Sequence, residues 1–228
     1  MSGLSICAVI PTLNEEEYIV QCIKTLQQQD VKRIIVVDGG STDNTVKLAS
    51  KLEVEVLLSN SAGRGEQLCR GAQSADCDIV WMVHADCKVN DAAAVAIREA
   101  VSGGAGWGAF AIRHEPPKDS AKWLRWCLGV ADKRSRRSYS PYGDQALFVR
   151  RALLEQVGGV PRQPLFEDLE LSKKLNKIMR PVLLEQEIIA SSRRFVRRPL
   201  KTFVAWMLFP SLYRMKASPQ RLMRWYAR

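Results

Sequence analysis

The chain has 228 residues, 46% of them hydrophobic, and a formal net charge of +10. That length suits one large α/β domain or one domain with an appendage, and the apolar content excludes a disordered chain. No secretory signal precedes the first strand-like stretch, FVAWMLFPSLY (203–213) is too short to span a bilayer, and six scattered cysteines without a CxxC pair form no disulfide framework. A cytoplasmic protein with reduced thiols is expected.

In chain order, SICAVIP (5–11) is a β-branched apolar run ended by Pro11, the pattern of a buried strand. YIVQCIKTLQQQ has helical spacing. RIIVVDGG (33–40) predicts a second strand, and STDNTVKLASKL a helix capped by Ser41. VEVLLS (54–59) predicts a third strand, and GRGEQLCRGAQSA a loop entering a helix. DIVWMVHAD (78–86) predicts a fourth strand and NDAAAVAIREAV (90–101) a capped helix. WGAFAIRHE (107–115) and ALFVRR (146–151) read as strands, SAKWLRWCLGVADKR and FEDLELSKKLNKIM (166–179) as helices, and RPVLLEQEII as extended chain. The tail from Pro199 predicts two helical pieces, broken near Pro210 and Pro219. Strand and helix alternating with short connections give a mostly parallel sheet with helices on both faces. Ligands bind at the carboxyl ends of such strands, where Pro11 to Glu15, Asp38 to Asp43 and His84 to Asp86 would converge.

The charge is unevenly placed. Residues 188–228 hold ten Lys or Arg and no acid, so the first 187 residues balance 24 basic against 24 acidic groups. An anionic partner is expected at that end, a membrane surface or phosphate-bearing substrate ahead of nucleic acid.

Four stretches carry candidate chemistry. In VVDGGSTDNT, Asp38 ends a strand before two glycines; it can accept from a base or ribose hydroxyl, or form an ordinary Asx turn. Glu15 and its neighbours in PTLNEEE also read as first-turn acids that complement the helix dipole. SAGRGEQL places Gly63 and Gly65 around Arg64 like a phosphate loop, without the Walker spacing or its GK[ST] ending. In WMVHAD, His84 and Asp86 share one side of a strand end, a placement suited to Mg²⁺ or Mn²⁺ at the carboxylate; a structural imidazole is the plainer reading of His84. In LFEDLEL, Glu167 and Asp168 open a helix, as a general base beside a second acid or as dipole-complementing acids.

Taken together, PTLNEEE, VVDGGSTDNT, HAD and FEDLEL resemble, in order and spacing, the family 2 glycosyltransferases of GT-A fold, over roughly residues 5 to 180. GRGEQLCRGA, VHAD, YGDQALFVRR and SSRRF further resemble the branch called radical-SAM/selenodomain-associated transferase 2. The resemblance implies a GT-A domain over 1–190 with a basic, aromatic helical extension over 191–228. It implies that Pro11, Thr12, Glu15 and Asp38 line a nucleoside pocket, with Gly63 and Arg64 beside the nucleotide. It implies Asp86 as ligand of a divalent cation, Mn²⁺ or Mg²⁺, and Asp168 as the base that deprotonates an acceptor hydroxyl. His84, Ala85, Gln145 and Glu167 would lie near the donor or acceptor sugar, and Arg193 and Arg194 would close over the diphosphate. His84 stands where the first acid of D-x-D is usual and Gly39 where many relatives carry a second acid, which weakens the expected hold on metal.

The function implied is inverting transfer from a nucleotide sugar, UDP-linked, to a hydroxyl acceptor. The alternatives are a sugar nucleotidyltransferase and a catalytically weak nucleotide-binding or membrane-surface protein. Trp206, Met207, Phe209, Trp225 and Tyr226 interleave with Arg and Lys. They suggest contact with the inner face of a membrane, a homodimer contact, or a cover for the core. No nucleic acid is expected as a partner.

Overall fold

A computed structural model describes residues 3–59, 63–117, 119–136, 139–197, 199–215 and 217–222, without the side chains of Arg194, Arg197, Trp206 and Arg214. Strands β1 (Ile6–Thr12), β2 (Arg33–Asp38), β3 (Glu55–Leu58) and β4 (Ile79–Met82) run parallel in the order β3-β2-β1-β4. β1 and β4 are buried along their whole length, which is why they read as unbroken apolar runs. Helix α1 (Ile19–Gln27) buries Ile19, Cys22, Ile23 and Leu26, a stripe at helical spacing. Each large side chain of that stripe contributes about 1.5–3 kcal/mol by leaving water. α2 (Thr45–Ala49), α3 (Arg64–Ser74) and α4 (Ala93–Ser102) complete the layers over this half.

Beyond β4 the sheet becomes mixed. β7 (Phe148–Arg150) lies antiparallel between β4 and β6 (Trp107–His114). β8 (Val182–Ala190) runs parallel to β6 with an irregularity between Phe110 and Ala111, and β5 (Cys87–Lys88) caps the edge antiparallel to β8. The outcome is an α/β architecture built on one mixed eight-stranded sheet, with α5 (Lys122–Ser135), α6 (Arg151–Gln156) and α7 (Glu167–Asn176) on the second half. Two apolar clusters fill the two faces, one around Ile10, Trp81 and Phe110, the other around Val9, Val37 and Leu171.

Four expectations are corrected. Ser41 does not cap α2, which starts at Thr45 behind Asn44; the Ser41 hydroxyl is taken by Asp38 instead. β4 ends at Met82, so His84 to Asp86 lie in a turn and not on the strand. The first turn of α1 carries no acid: Glu16 reaches across to the Asn44 amide at 3.0 Å and ties the start of α2. Finally, after the short α8 (Arg193–Arg197), helix α9 (Pro199–Arg214) runs straight through Pro210. A proline inside a helix costs about 3 kcal/mol or more. Packing offsets it, since Ala205 and Phe209 bury against Leu165, Phe166 and Tyr213. Helix α9 ends at Arg214, and a helical turn begins at Pro219.

Candidate active site

The loops after β1 and β2 brace each other. The Asn14 amide donates to Ser41 Oγ at 2.9 Å, the Thr42 amide to Asn14 Oδ1 at 2.9 Å and the Glu15 amide to Thr45 Oγ1 at 2.7 Å. Asp38, opposite Thr12 in register, sits beneath them, buried. Its Oδ2 accepts from the Gly40 and Ser41 amides at 2.9 and 2.8 Å, and its Oδ1 from the Ser41 and Thr12 hydroxyls. A carboxylate has about four lone-pair sites, and all four are used. Gln67 clamps the same junction, donating to the Thr12 and Val37 carbonyls at 2.6 and 2.8 Å. Pro11 lies within β1, buried opposite Val37.

The turn after β4 sends Ala85 into the apolar core and turns His84 and Asp86 toward a common cavity of about 210 Å³. Asp86 meets Arg193, whose guanidinium lies 3.2 Å from Asp86 Oδ2 and 2.5 Å from Glu15 Oε1, 4.6 Å over the Tyr18 ring. Arg193 therefore bridges two acids at once. The side chain of Arg194 lies outside the described residues.

The far side of the cavity is built by a 3-10 turn, Gly143–Gln145, and the start of α7. Asp168 accepts the Gly143 amide on Oδ2 at 2.7 Å and the Leu169 amide on Oδ1 at 2.6 Å. Glu167, fully buried, accepts from Arg64 Nε. Burial raises the Glu167 and Asp144 carboxyls above the ordinary carboxylate range, because the charged form loses hydration. Burial works against the Arg64 guanidinium, yet Glu167 and Asp168 more than compensate and its pKa rises. Each of Glu167 and Asp144 also holds one buried oxygen, Oε2 and Oδ1, without a hydrogen-bond partner.

Of the residues singled out by sequence, His84, Asp86, Arg64 and Asp168 line this cavity together. Asp38, Pro11 and Thr12 frame the adjoining loop, and Gly63 only precedes α3. Gln145 is buried: it donates to the Phe110 and Ser135 carbonyls at 2.9 and 3.1 Å and anchors the turn. Asp144 lines the cavity and was missed; the acid beside a glycine in YGDQ, just ahead of a strand, was its only local signal. Phe195, Ala205, Phe209 and Pro210 supply an apolar wall beside Thr202, so α8 and α9 help to shape the site.

Of the carboxylates that line the cavity, Asp86 is the one that the D-x-D resemblance implies as ligand of a divalent cation. Among the described residues no three acids, histidines or cysteines gather to hold a metal. Asp86 alone fits a cation that arrives with most of its oxygen ligands on a diphosphate, the usual manner of Mg²⁺. Its Oδ2 is engaged by Arg193 until then.

One mixed eight-stranded sheet flanked by helices, with acids in the loops beyond the strands, is the frame of this site. The sequence profile of glycosyl transferase family 2 matches residues 7–152, and the chain belongs to that family. It is 34% identical over 62 residues to glycosyltransferase AglJ of Haloferax volcanii, covering 27% of this chain and 20% of that protein. It is 34% identical over 96 residues to glucosyl-3-phosphoglycerate synthase of Mycolicibacterium smegmatis, covering 37% and 32%. These matches span a third or less of the relatives' own length. Among solved structures, the mannosyltransferase PcManGT of Pyrobaculum calidifontis, in complex with GDP-Man and Mn²⁺, superposes with a TM-score of 0.69 at 20% identity, over 100% of this chain and 69% of that one. Staphylococcus aureus TarS 1-349 in complex with UDP-GlcNAc gives 0.63 at 20%, over 82% and 58%. At such identities the likeness is one of fold.

Proposed function

We propose that the protein is an inverting glycosyltransferase that moves a sugar from a nucleotide-sugar donor, UDP-linked, to a hydroxyl acceptor. The observation that carries this reading is Asp168: two backbone amides hold its carboxylate in a cavity shared with Asp86 and His84. The acceptor hydroxyl attacks the anomeric carbon opposite the leaving diphosphate, the anomeric C–O bond breaks, and Asp168 takes the hydroxyl proton. Arg193 exchanges Asp86 and Glu15 for the diphosphate, to which a planar guanidinium is well suited. Asp86 would hold Mn²⁺ or Mg²⁺, which when bound neutralises charge on the leaving diphosphate. The braced Asp38 loop, with Thr12 and Glu15, forms the nucleoside end.

UDP-bound and GDP-bound structural neighbours both exist, and the curated synthase relative is named for glucosyl transfer, which supports a hexosyl donor. GRGEQLCRGA and SSRRF support the narrower branch named above. Hydrolysis of a panel of UDP- and GDP-sugars, with Mn²⁺ and with chelator, tests the reading. No donor hydrolysed and no UDP bound would end it.

Residence at the inner face of a membrane belongs to the same proposal. Leu200, Met207, Leu208 and Met215 of the C-terminal segment are exposed, as are Trp123 and Trp126 of α5. Among the described residues no helix is long and apolar enough to cross a membrane. Sedimentation with anionic but not neutral vesicles is expected; a concentration-dependent dimer without vesicle binding would favour a self-contact instead.

A further inference from the structure

The Gly63-Arg64-Gly65 stretch looks like a phosphate loop in sequence, but its arginine turns elsewhere. We propose that Arg64 is the positioning residue of Asp168, holding the carboxylate that the proposed function uses as base, and is not a nucleotide contact. The inference rests on that reading for its catalytic meaning, though not for its geometry.

Two glycines deliver the arginine. Gly63 has a φ of +141°, a conformation that residues with a Cβ rarely adopt. A Cβ on Gly65 would stand 2.5 Å from the carbonyl oxygens of both Pro161 and Gln163. The start of α3 is thereby pressed against the 161–163 chain, which leads within three residues to α7. Arg162 pairs with Glu66 at 2.6 Å across the same junction. Phe166 turns the chain with a φ of +63°, and Glu167 and Asp168 follow. Across a separation of 103 residues from Glu167, Arg64 meets both acids. Its Nε donates to Glu167 Oε1, and its Nη2 lies 3.7 Å from Asp168 Oδ2.

The chemistry of the guanidinium explains the choice. Its donors lie in one rigid plane, so one side chain can fix two carboxylates relative to each other. Glu167 is fully buried and would be strained without a cation beside it. Asp168 Oδ2 is then held from two sides, by Arg64 and by the Gly143 amide. A lysine supplies the charge at one point and cannot span both acids. In this arrangement Glu167 anchors Arg64, Arg64 steadies Asp168, and the diphosphate is left to Arg193.

The experiment compares wild type with R64A, R64K and E167Q. Amide exchange at Gly143, followed by NMR, reads the Asp168 hydrogen bond without any substrate. It is expected to accelerate about tenfold in R64A, the equivalent of about 1.4 kcal/mol, while buried strand amides such as Val9 stay protected. UDP affinity by calorimetry is expected to stay within about threefold of wild type. Turnover in UDP-sugar hydrolysis is expected to fall at least about tenfold at unchanged donor KM, with R64K little better than R64A and added guanidinium restoring part of the loss in R64A. Unchanged Gly143 protection in R64A overturns the proposal, whatever the activity. So does a tenfold loss of UDP affinity in R64A, which would make Arg64 a nucleotide contact. A wild type that neither binds UDP nor hydrolyses UDP-sugars overturns the transferase reading alone, and Gly143 exchange still decides the positioning claim. If R64A does not fold, E167Q carries the test: it removes the charge that anchors Arg64 and is expected to speed Gly143 exchange in the same direction.

Discussion

Two carboxylate sites at the strand ends differ in how completely they are satisfied. On the parallel side, Asp38 has all its lone pairs bonded, three to its own loop and one to Thr12 of β1, and Gln67 locks the junction beneath it. On the mixed side, Glu167 and Asp144 are buried with one oxygen each unbonded, and both titrate high because of that burial. Buried polar groups are usually satisfied, so a cluster of exceptions marks work other than holding the fold. The left-handed Ala146 and Phe166 flank the same acids, adding local backbone strain. The difference teaches that the first region is held in shape by its own hydrogen bonds. The second region leaves two buried acceptor oxygens unbonded, where burial favours the protonated form.

Substitutions can break this comparison. The largest effect is expected at Asp168, where Asp168→Asn keeps the shape but cannot take a proton. Donor turnover should fall by about 10²–10⁴ while UDP affinity stays level. Equal activity in the two proteins would remove Asp168 from the chemistry. At the satisfied site the loss should appear in stability instead. Asp38→Asn weakens the acceptor of the Gly40 and Ser41 amides, and urea unfolding should show a loss of about 1–3 kcal/mol together with weaker UDP binding. Asp86→Asn should abolish the gain in UDP affinity that Mn²⁺ brings, a change of about tenfold, or about 1.4 kcal/mol, by titration calorimetry. A gain of the same size in the variant would place the cation elsewhere.

The smallest effect sharpens the contrast by its sign. Burial raises the Asp144 carboxyl above its unfolded value, so the fold prefers the protonated form. Its penalty is absent below the unfolded value, about 3.9, and grows as pH rises from there up to the raised value. Asp144→Asn removes the ionisable group. The variant should melt higher than wild type at pH 7, by about 2–4 °C if the penalty is about 1 kcal/mol, and by less near pH 4. A lower melting temperature at pH 7 would mean that the Asp144 charge is stabilising where it stands.

Much of the fold was legible because it is written in local periodicity. β1 and β2 are unbroken apolar runs, α1 carries its stripe at 19, 22, 23 and 26, and the loops that end the strands hold the acids. Errors came where a local rule met a competing partner. Ser41 had a capping signal, but Asp38 three residues earlier offered it a stronger acceptor. Pro210 had a breaking signal, but packing of Phe209 carried the helix through. The placement of His84 and Asp86 on one side came from a turn, where strand alternation had been the argument.

The sequence by itself determined the alternating layers and the family, because hydrophobic period and motif spacing act over a few residues. Only the tertiary structure decided that Arg64 meets Glu167 and Asp168, and that Arg193 bridges Glu15 and Asp86 across a separation of 178 residues from Glu15. It also decided that α9 walls the cavity and that Asp144 lines it. Charged side chains find their partners wherever the folded chain brings opposite charge into a dry space, and no spacing along the chain records that path.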